Sequence, residues 1–341
     1  MADKEAMTIA CEPIGSDAAL REVAIGKHEL EMPDLMLEEV LYPWGFPLMV
    51  KTNSREVLRQ CRELWGKFRL RRNRPPICAE VWALESDAAE CPPAPTYRLM
   101  SGVWMTIADA DNYCVLNLDS CKSRVVITRT ALNYPLYAQY FLLGMMACCV
   151  TVRFTTPIHA ACVASHGKGV LLCGESGAGK STLSYACARA GWTYVSDDAT
   201  LLAQEDDSRQ VIGNCHQIRF RPGAAKLFPE LRDLEITPRA AGKPSIEVPT
   251  ASMRKIHCAE TVPAEFVVFL NRNWSGPPEI VPYSKDAARA SMRKALFSSG
   301  KVRLAQHEAI KRLLEGEVLE LRYTSLDAAV ERLRELVMEG K

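Results

Sequence analysis

Long apolar runs are missing from this chain of 341 residues. The most apolar stretch, Tyr137–Val150 (YAQYFLLGMMACCV), falls short of the ~18–20 residues that span a bilayer and contains Gln139 and Gly144. It reads as a buried core helix, not a membrane span. An excess of charge of either sign is also missing. There are 42 Lys+Arg against 41 Asp+Glu, a formal net charge of +1, which excludes the broad positive field of a general nucleic-acid binder. The 13 cysteines are odd in number and nowhere fall in a C-x-x-C spacing, so free thiols are expected rather than a disulfide framework. The opening MADKEAMTIACEPIG carries acidic residues and no apolar core, unlike a signal or transit peptide. Together these absences predict a cytoplasmic protein with neither a membrane nor a nucleic acid as partner.

What remains is ordinary for a globular chain: 48% hydrophobic and 24% charged residues, enough length for two domains. The first 25 or so residues are polar and read as a frayed terminus. Val57, Leu58, Cys61, Leu64 and Trp65 predict one face of an amphipathic helix over Arg55–Lys67. The basic run after it, Arg69, Arg71, Arg72 and Arg74 before Pro75-Pro76, is a solvated turn or a docking patch for an acidic partner. Glu90–Pro95 reads as a link, and Tyr113–Leu118 and Ser123–Thr128 as strands. Residues 1–150 are therefore expected to form a mixed α+β domain for substrate recognition or oligomerisation. Residues 151–341 are expected to form the catalytic one.

The texture of that second part is strand, glycine loop, helix, strand. Lys168–Cys173 (KGVLLC) is a short continuous apolar run, as a strand buried on both faces requires. Gly174-Glu175-Ser176-Gly177-Ala178-Gly179-Lys180-Ser181 follows, a full match to G-x-x-x-x-G-K-[ST]. Glycines let successive backbone N–H groups point at phosphate oxygens, and the helix that follows presents its positive end. Lys180 adds a full charge at the terminal phosphates, and the Ser181 hydroxyl suits Mg²⁺. A nucleoside triphosphate site is the expectation, with Thr182 at its margin.

Past the helix expected over Ser181–Ala190 comes Val195-Ser196-Asp197-Asp198. A parallel arrangement would bring this pair to the carboxyl end of the neighbouring strand, beside the loop. One carboxylate can hold Mg²⁺ while the other takes a proton from an attacking hydroxyl. Phe266–Leu270 ends in Asn271 rather than an acid, which leaves the metal role to the pair. His159 precedes Gly174 by fifteen residues in an alternating, strand-like stretch. Pattern alone leaves it open between core filler and site residue. Cys215-His216 and His257-Cys258 lack zinc-site spacing.

I-H-A-A-C-V, then G-V-L-L-C-G-E-S-G-A-G-K-S, then A-G-W-T-Y-V-S-D-D resemble the catalytic domain of the HPr kinase/phosphorylase family. The resemblance implies an α/β P-loop kinase domain of the fold shared with ATP-type phosphoenolpyruvate carboxykinases. It covers roughly residues 150–340, with its specific motifs within 158–198. It implies that Lys180 and Ser181 bind nucleotide phosphates and Mg²⁺, and that Asp197 is the base. It further implies that Asp198 helps hold metal and that His159 lines the transfer site. Family members are hexameric, so a homo-oligomer is implied as well.

The sequence departs from the family at Thr182, where an acid is usual. It departs again at Gln217–Gly223, where Arg219 and Arg221, with Lys243 further on, stand in place of the family's arginine pattern. These three cations are candidates to grip the transferring phosphoryl group or the acceptor. The departures point to a diverged relative, some of which are peptide-modifying kinases of the lasso-peptide type. The expected activity is ATP- and Mg²⁺-dependent transfer to a hydroxyl, serine first, on a protein or peptide. The alternatives are a small-molecule kinase of the shikimate or gluconate type and a non-catalytic nucleotide-binding switch.

Overall fold

The computed structural model describes residues 32–204, 209–237, 243–253, 255–272, 274–296, 298 and 300–339. The polar opening segment and Gly242 lie outside the described residues.

Alternation builds the N-terminal half. In β3 (Ile77–Leu84), Ile77, Ala79, Val81 and Ala83 are buried while the residues between them are partly exposed, the pattern of a sheet with one face in a core. Its neighbours are β1 (Leu37–Leu41), β2 (Leu48–Thr52), β4 (Thr96–Met100), β5 (Val103–Ile107), β6 (Tyr113–Asn117) and β7 (Lys122–Thr128). The seven strands run in the order β1-β2-β3-β7-β6-β5-β4. β3 lies parallel to both β2 and β7. Against the inner face packs helix α1 (Arg55–Trp65), through Val57, Leu58, Cys61 and Trp65.

The apolar stretch that follows lies in the same core, but it is not one regular helix. It passes from an α turn at Pro135–Tyr137 into π turns at Ala138–Leu142. A 3₁₀ segment, Leu143–Ala147, and further π turns at Cys149–Phe154 complete it. Gly144 lies where the wider π turns give way to the tighter 3₁₀ segment, and a Cβ there would sit 2.6 Å from the Gln139 carbonyl oxygen, so the close approach needs a glycine.

The second half centres on β10 (Lys168–Cys173), whose apolar run reflects cover on both faces. Val170 and Leu172 meet α2 (Lys180–Arg189) and α5 (Leu326–Glu339) through Leu183, Cys187, Val330 and Leu333. Leu171 and Cys173 meet α3 (Lys285–Arg293) and α4 (Gly300–Leu313) through Met292, Ile310 and Leu313. β10 lies between β9 (Ala160–Ser165), antiparallel, and the long β18 (Thr261–Asn271), parallel. Beyond β9 comes β11 (Thr193–Ser196), antiparallel to it, and beyond β18 comes β20 (Glu317–Arg322), parallel. The remaining strands of this sheet, ten among the described residues, are β8 (Thr155–Ile158), β12 (Thr200–Ala203), β13 (Gln210–Gly213), β17 (His257–Cys258) and β19 (Glu279–Pro282). A three-stranded sheet of β14 (Gln217–Phe220), β15 (Ile236–Thr237) and β16 (Ser245–Pro249) packs on α2 through Tyr185 and Phe220. The protein is thus mixed α/β with several sheets. No helix of the described residues is long and apolar enough to cross a membrane.

Candidate active site

Strand direction assembles the site. Because β9 runs antiparallel to both neighbours, β10 and β11 are parallel with one strand between them. The carboxyl ends of β10 and β11 and the amino end of β9 therefore share one edge of the sheet. The acidic pair is not on the strand next to the loop, as the sequence suggested. The strand next to it carries His159 at its amino end instead. A turn from β11 to β12 carries Asp197 and Asp198 and is fastened by buried hydroxyls. Ser196 Oγ lies 2.6 Å from Thr200 Oγ1, which donates to the Ala160 carbonyl at 2.9 Å.

The segment 174–179 connects β10 to α2 with Gly174, Gly177 and Gly179 at φ of +150°, +88° and +101°. These are values that side-chain-bearing residues rarely adopt. Ala178 N–H donates to the Glu175 carbonyl at 3.0 Å, closing a turn that also contains Ser176. The Lys180 ammonium is buried and donates to the carbonyls of Gly174 (2.8 Å) and Glu175 (3.4 Å). Its Nζ also meets His159 Nε2 at 3.0 Å, and His159 Nδ1 lies 3.3 Å from Asp198 Oδ1. An ammonium only donates, so Nε2 accepts and the ring proton sits on Nδ1, facing the carboxylate. Desolvation pulls the imidazole below its usual value, the effect of Asp198 being smaller and opposite. Burial likewise lowers Lys180.

Asp197 is fixed differently. Its carbonyl accepts from Ser181 Oγ at 3.2 Å, tying the acidic turn to the start of α2. Its Oδ2 accepts from the backbone N–H of Arg219 at 2.7 Å. Burial pushes its carboxyl up to about 6, against the smaller lowering by Arg219. Of the two acids, it is Asp198, 60% exposed, that reaches the loop lysine through His159.

The structure therefore brings together His159, the loop 174–181, Asp197 and Asp198. Thr182 is half-buried in the first turn of α2. Arg219 joins the group through its backbone, while its guanidinium faces Glu247 at 3.3 Å. Arg221 donates to the Lys243 backbone carbonyl at 3.4 Å. Beside the loop is a cavity of about 220 Å³, with Ile158, Phe269 and Met292 among its apolar walls and His159, Glu175, Ser291 and Lys294 at its rim. Sequence reading passed over Arg272 and Tyr323, which lie against Gly179. The available signal was position: each directly follows a strand that runs parallel to β10.

Residues 152–221 match the family model of the HPr serine kinase C-terminal domain. A 64-residue stretch is 38% identical to the HPr kinase/phosphorylase of Bacillus subtilis (strain 168). That stretch covers 19% of this chain and 20% of that relative, so the match spans about a fifth of the relative's length. A solved structure of the Hpr(Ser) kinase/phosphatase from Coxiella burnetii aligns at 18% identity over 54% of this chain and 93% of that one. Its TM-score is 0.27, too low to equate the two overall folds. The segment that matches the HPr serine kinase C-terminal domain, residues 152–221, is the one that carries the glycine loop and the acidic pair.

Proposed function

We propose that the protein is an ATP-dependent kinase that transfers the γ-phosphate to a hydroxyl, serine first, of a protein or peptide. The observation that carries this reading is the contact series Lys180–His159–Asp198 at the mouth of the glycine loop, with Asp197 tied to Ser181 beside it. In this reading residues 174–182 cradle the phosphates as a P-loop of the phosphoenolpyruvate carboxykinase-like type, and Lys180 neutralises the terminal ones. Residues 151–341 form the kinase domain, and residues 1–150 recognise the substrate or build a homo-oligomer. The compartment is the cytoplasm.

A hydroxyl at Ser181 and the carboxylate of Asp198 are hard oxygen donors. They fit Mg²⁺, which takes one or two carboxylates beside phosphate oxygens and water. When bound, the ion supplies charge neutralisation on the phosphates. The chain's own residues do the rest. Asp197, raised to about 6, is ionised at neutral pH yet basic enough to accept the proton of an acceptor hydroxyl. His159, neutral and oriented by Asp198, holds the lysine toward the loop. In this scheme Arg219, Arg221 and Lys243 serve the acceptor rather than the phosphate loop.

The contact between Asp198 and His159 favours a second assignment within the same reaction, with Asp198 as base and Asp197 toward the metal. The small cavity beside the loop also favours a second substrate class, a small metabolite alcohol rather than a serine side chain. One experiment addresses all of these. The protein is incubated with γ-labelled ATP and Mg²⁺, and with serine-containing proteins and peptides or with small polyols. Label on a protein or peptide serine is expected. Label confined to small alcohols selects the second substrate class. ATP binding without transfer to any acceptor overturns the kinase reading in favour of a nucleotide-binding switch. Asp197→Asn is expected to abolish transfer while leaving ATP binding intact, whereas Lys180→Ala weakens both.

A further inference from the structure

The glycine loop has two flanks, and only one carries the groups assigned to transfer. On the β9–β11 side stand His159, Asp197 and Asp198. On the other side, β18 and β20 run parallel to β10 and end at the same edge, with Cys173 opposite Phe269 and Asn271 opposite Arg322. Tyr323 N–H donates to the Asn271 carbonyl at 3.0 Å, which locks the two strand ends together. Just past them, buried Tyr323 and exposed Arg272 approach the loop. A Cβ placed on Gly179 would lie 3.1 Å from Tyr323 Oη and 4.0 Å from Arg272 Cδ.

The neighbouring cation behaves differently. Arg322 is neutralised by Glu320 (2.7 Å) and Glu279 (3.1 Å) and lies over the Trp274 ring at 5.0 Å. Asn271 also spends its amide on Glu320. Arg272 has no acidic partner among the described residues. An exposed arginine without an acidic partner among the described residues, anchored by a locked strand end and with its Cδ beside the last glycine of the loop, is suited to an anion.

Resting on the kinase reading above, we infer that Arg272, positioned against Tyr323, grips the α- and β-phosphates of the bound nucleotide. It does so from the flank opposite the acids. Because that flank is away from His159 and the acidic pair, Arg272 holds the part of the nucleotide that is not transferred. Its contribution is made equally before and during the reaction, and so it appears in binding rather than in turnover. Tyr323 Oη closes the same side of the loop and orients the guanidinium.

The test is titration of the full chain with ATP, ADP, inorganic pyrophosphate and adenosine, for wild type, Arg272→Ala, Arg272→Lys and Lys180→Ala. Arg272→Ala is expected to weaken ATP and ADP alike, by about ten- to a hundredfold, and pyrophosphate as well. Adenosine binding should be unchanged, and Arg272→Lys should recover part of the loss. In turnover, KM for ATP should rise with kcat within about threefold of wild type. ATP binding by Arg272→Ala within twofold of wild type, while Lys180→Ala loses it, overturns this inference and leaves the kinase reading standing. A fall in kcat at unchanged KM also overturns it, since Arg272 would then act on the transferred group. Failure of the wild-type protein to bind any nucleotide overturns the loop reading itself, and this inference with it.

Discussion

The raised carboxyl of Asp197 makes opposite predictions for activity and for stability. A base that must be ionised fails as it protonates, so the rate of transfer should fall about tenfold per pH unit below about 6. An acid limb well below 6 would rule out Asp197 as the base. For stability the sign reverses. The folded value lies above the unfolded one of about 3.9, so the folded state binds this proton more tightly. The group's stabilising contribution is complete below the unfolded value and is lost as pH rises through about 6. Asp197→Asn keeps an oxygen to accept the Arg219 N–H and carries no buried charge. Thermal melts should therefore show the variant more stable than wild type at pH 8, with the gap closing towards pH 4. Its transfer rate should be about 10²–10⁴-fold lower. A variant less stable at pH 8 would mean that the carboxylate is well solvated.

At the scale of elements, the turn between β11 and β12 depends on two hydroxyls with no solvent to replace them. Thr200→Val would leave Ser196 Oγ and the Ala160 carbonyl short of a partner, at a cost of about 1–3 kcal/mol. It should also lower kcat more than nucleotide affinity, since it loosens the acids and not the loop. Equal losses in both would show that the turn supports the loop as well. Gly144→Ala tests the broken helix. Its Cβ would be driven into the Gln139 carbonyl, and melting should show about 1–3 kcal/mol of destabilisation. A neutral result would mean that this segment relaxes to a regular helix. The helix over Arg55–Trp65 was legible because one apolar stripe at helical spacing suffices to predict it. The division of 137–154 into π and 3₁₀ turns was not, because continuous apolarity shows burial without period. The acids' distance from the loop was equally hidden, since the interposed β9 lies earlier in the chain than either strand it separates.

Across the whole molecule, the two large sheets share apolar contacts. Leu201, Ala203 and Ile212 lie in the same buried cluster as Val50, Val81 and Leu142. The expected division at residue 150 falls inside the turns Cys149–Phe154, whose Val152 and Phe154 lie in that cluster too. Gln306 of α4 donates to the buried Val152 carbonyl at 2.9 Å, and Phe154 stacks on Phe46 at 5.6 Å. The basic run after α1 takes part as well. Arg71 meets Glu260 at 3.3 Å, and the Arg74 guanidinium lies 3.6 Å from the centre of the Phe154 ring. Neither a freely solvated turn nor a spare docking patch describes those two arginines. With core shared across the halves, calorimetry of the full chain should show one cooperative transition. Two separated transitions would show that the shared contacts contribute little.

The glycine loop, the apolar strand before it, the helix after it and the acidic pair were determined by sequence alone. Each is a local pattern whose residue types follow from one stretch of backbone. Tertiary structure decided what no local pattern carries. It set His159 between lysine and acid, turned the Asp197 carboxyl to the Arg219 amide, and diverted the Arg219 guanidinium to Glu247. Arg272 came to the loop's other flank in the same way. Strand order and direction bring distant segments to one sheet edge, and burial there, not residue identity, sets which proton each group holds.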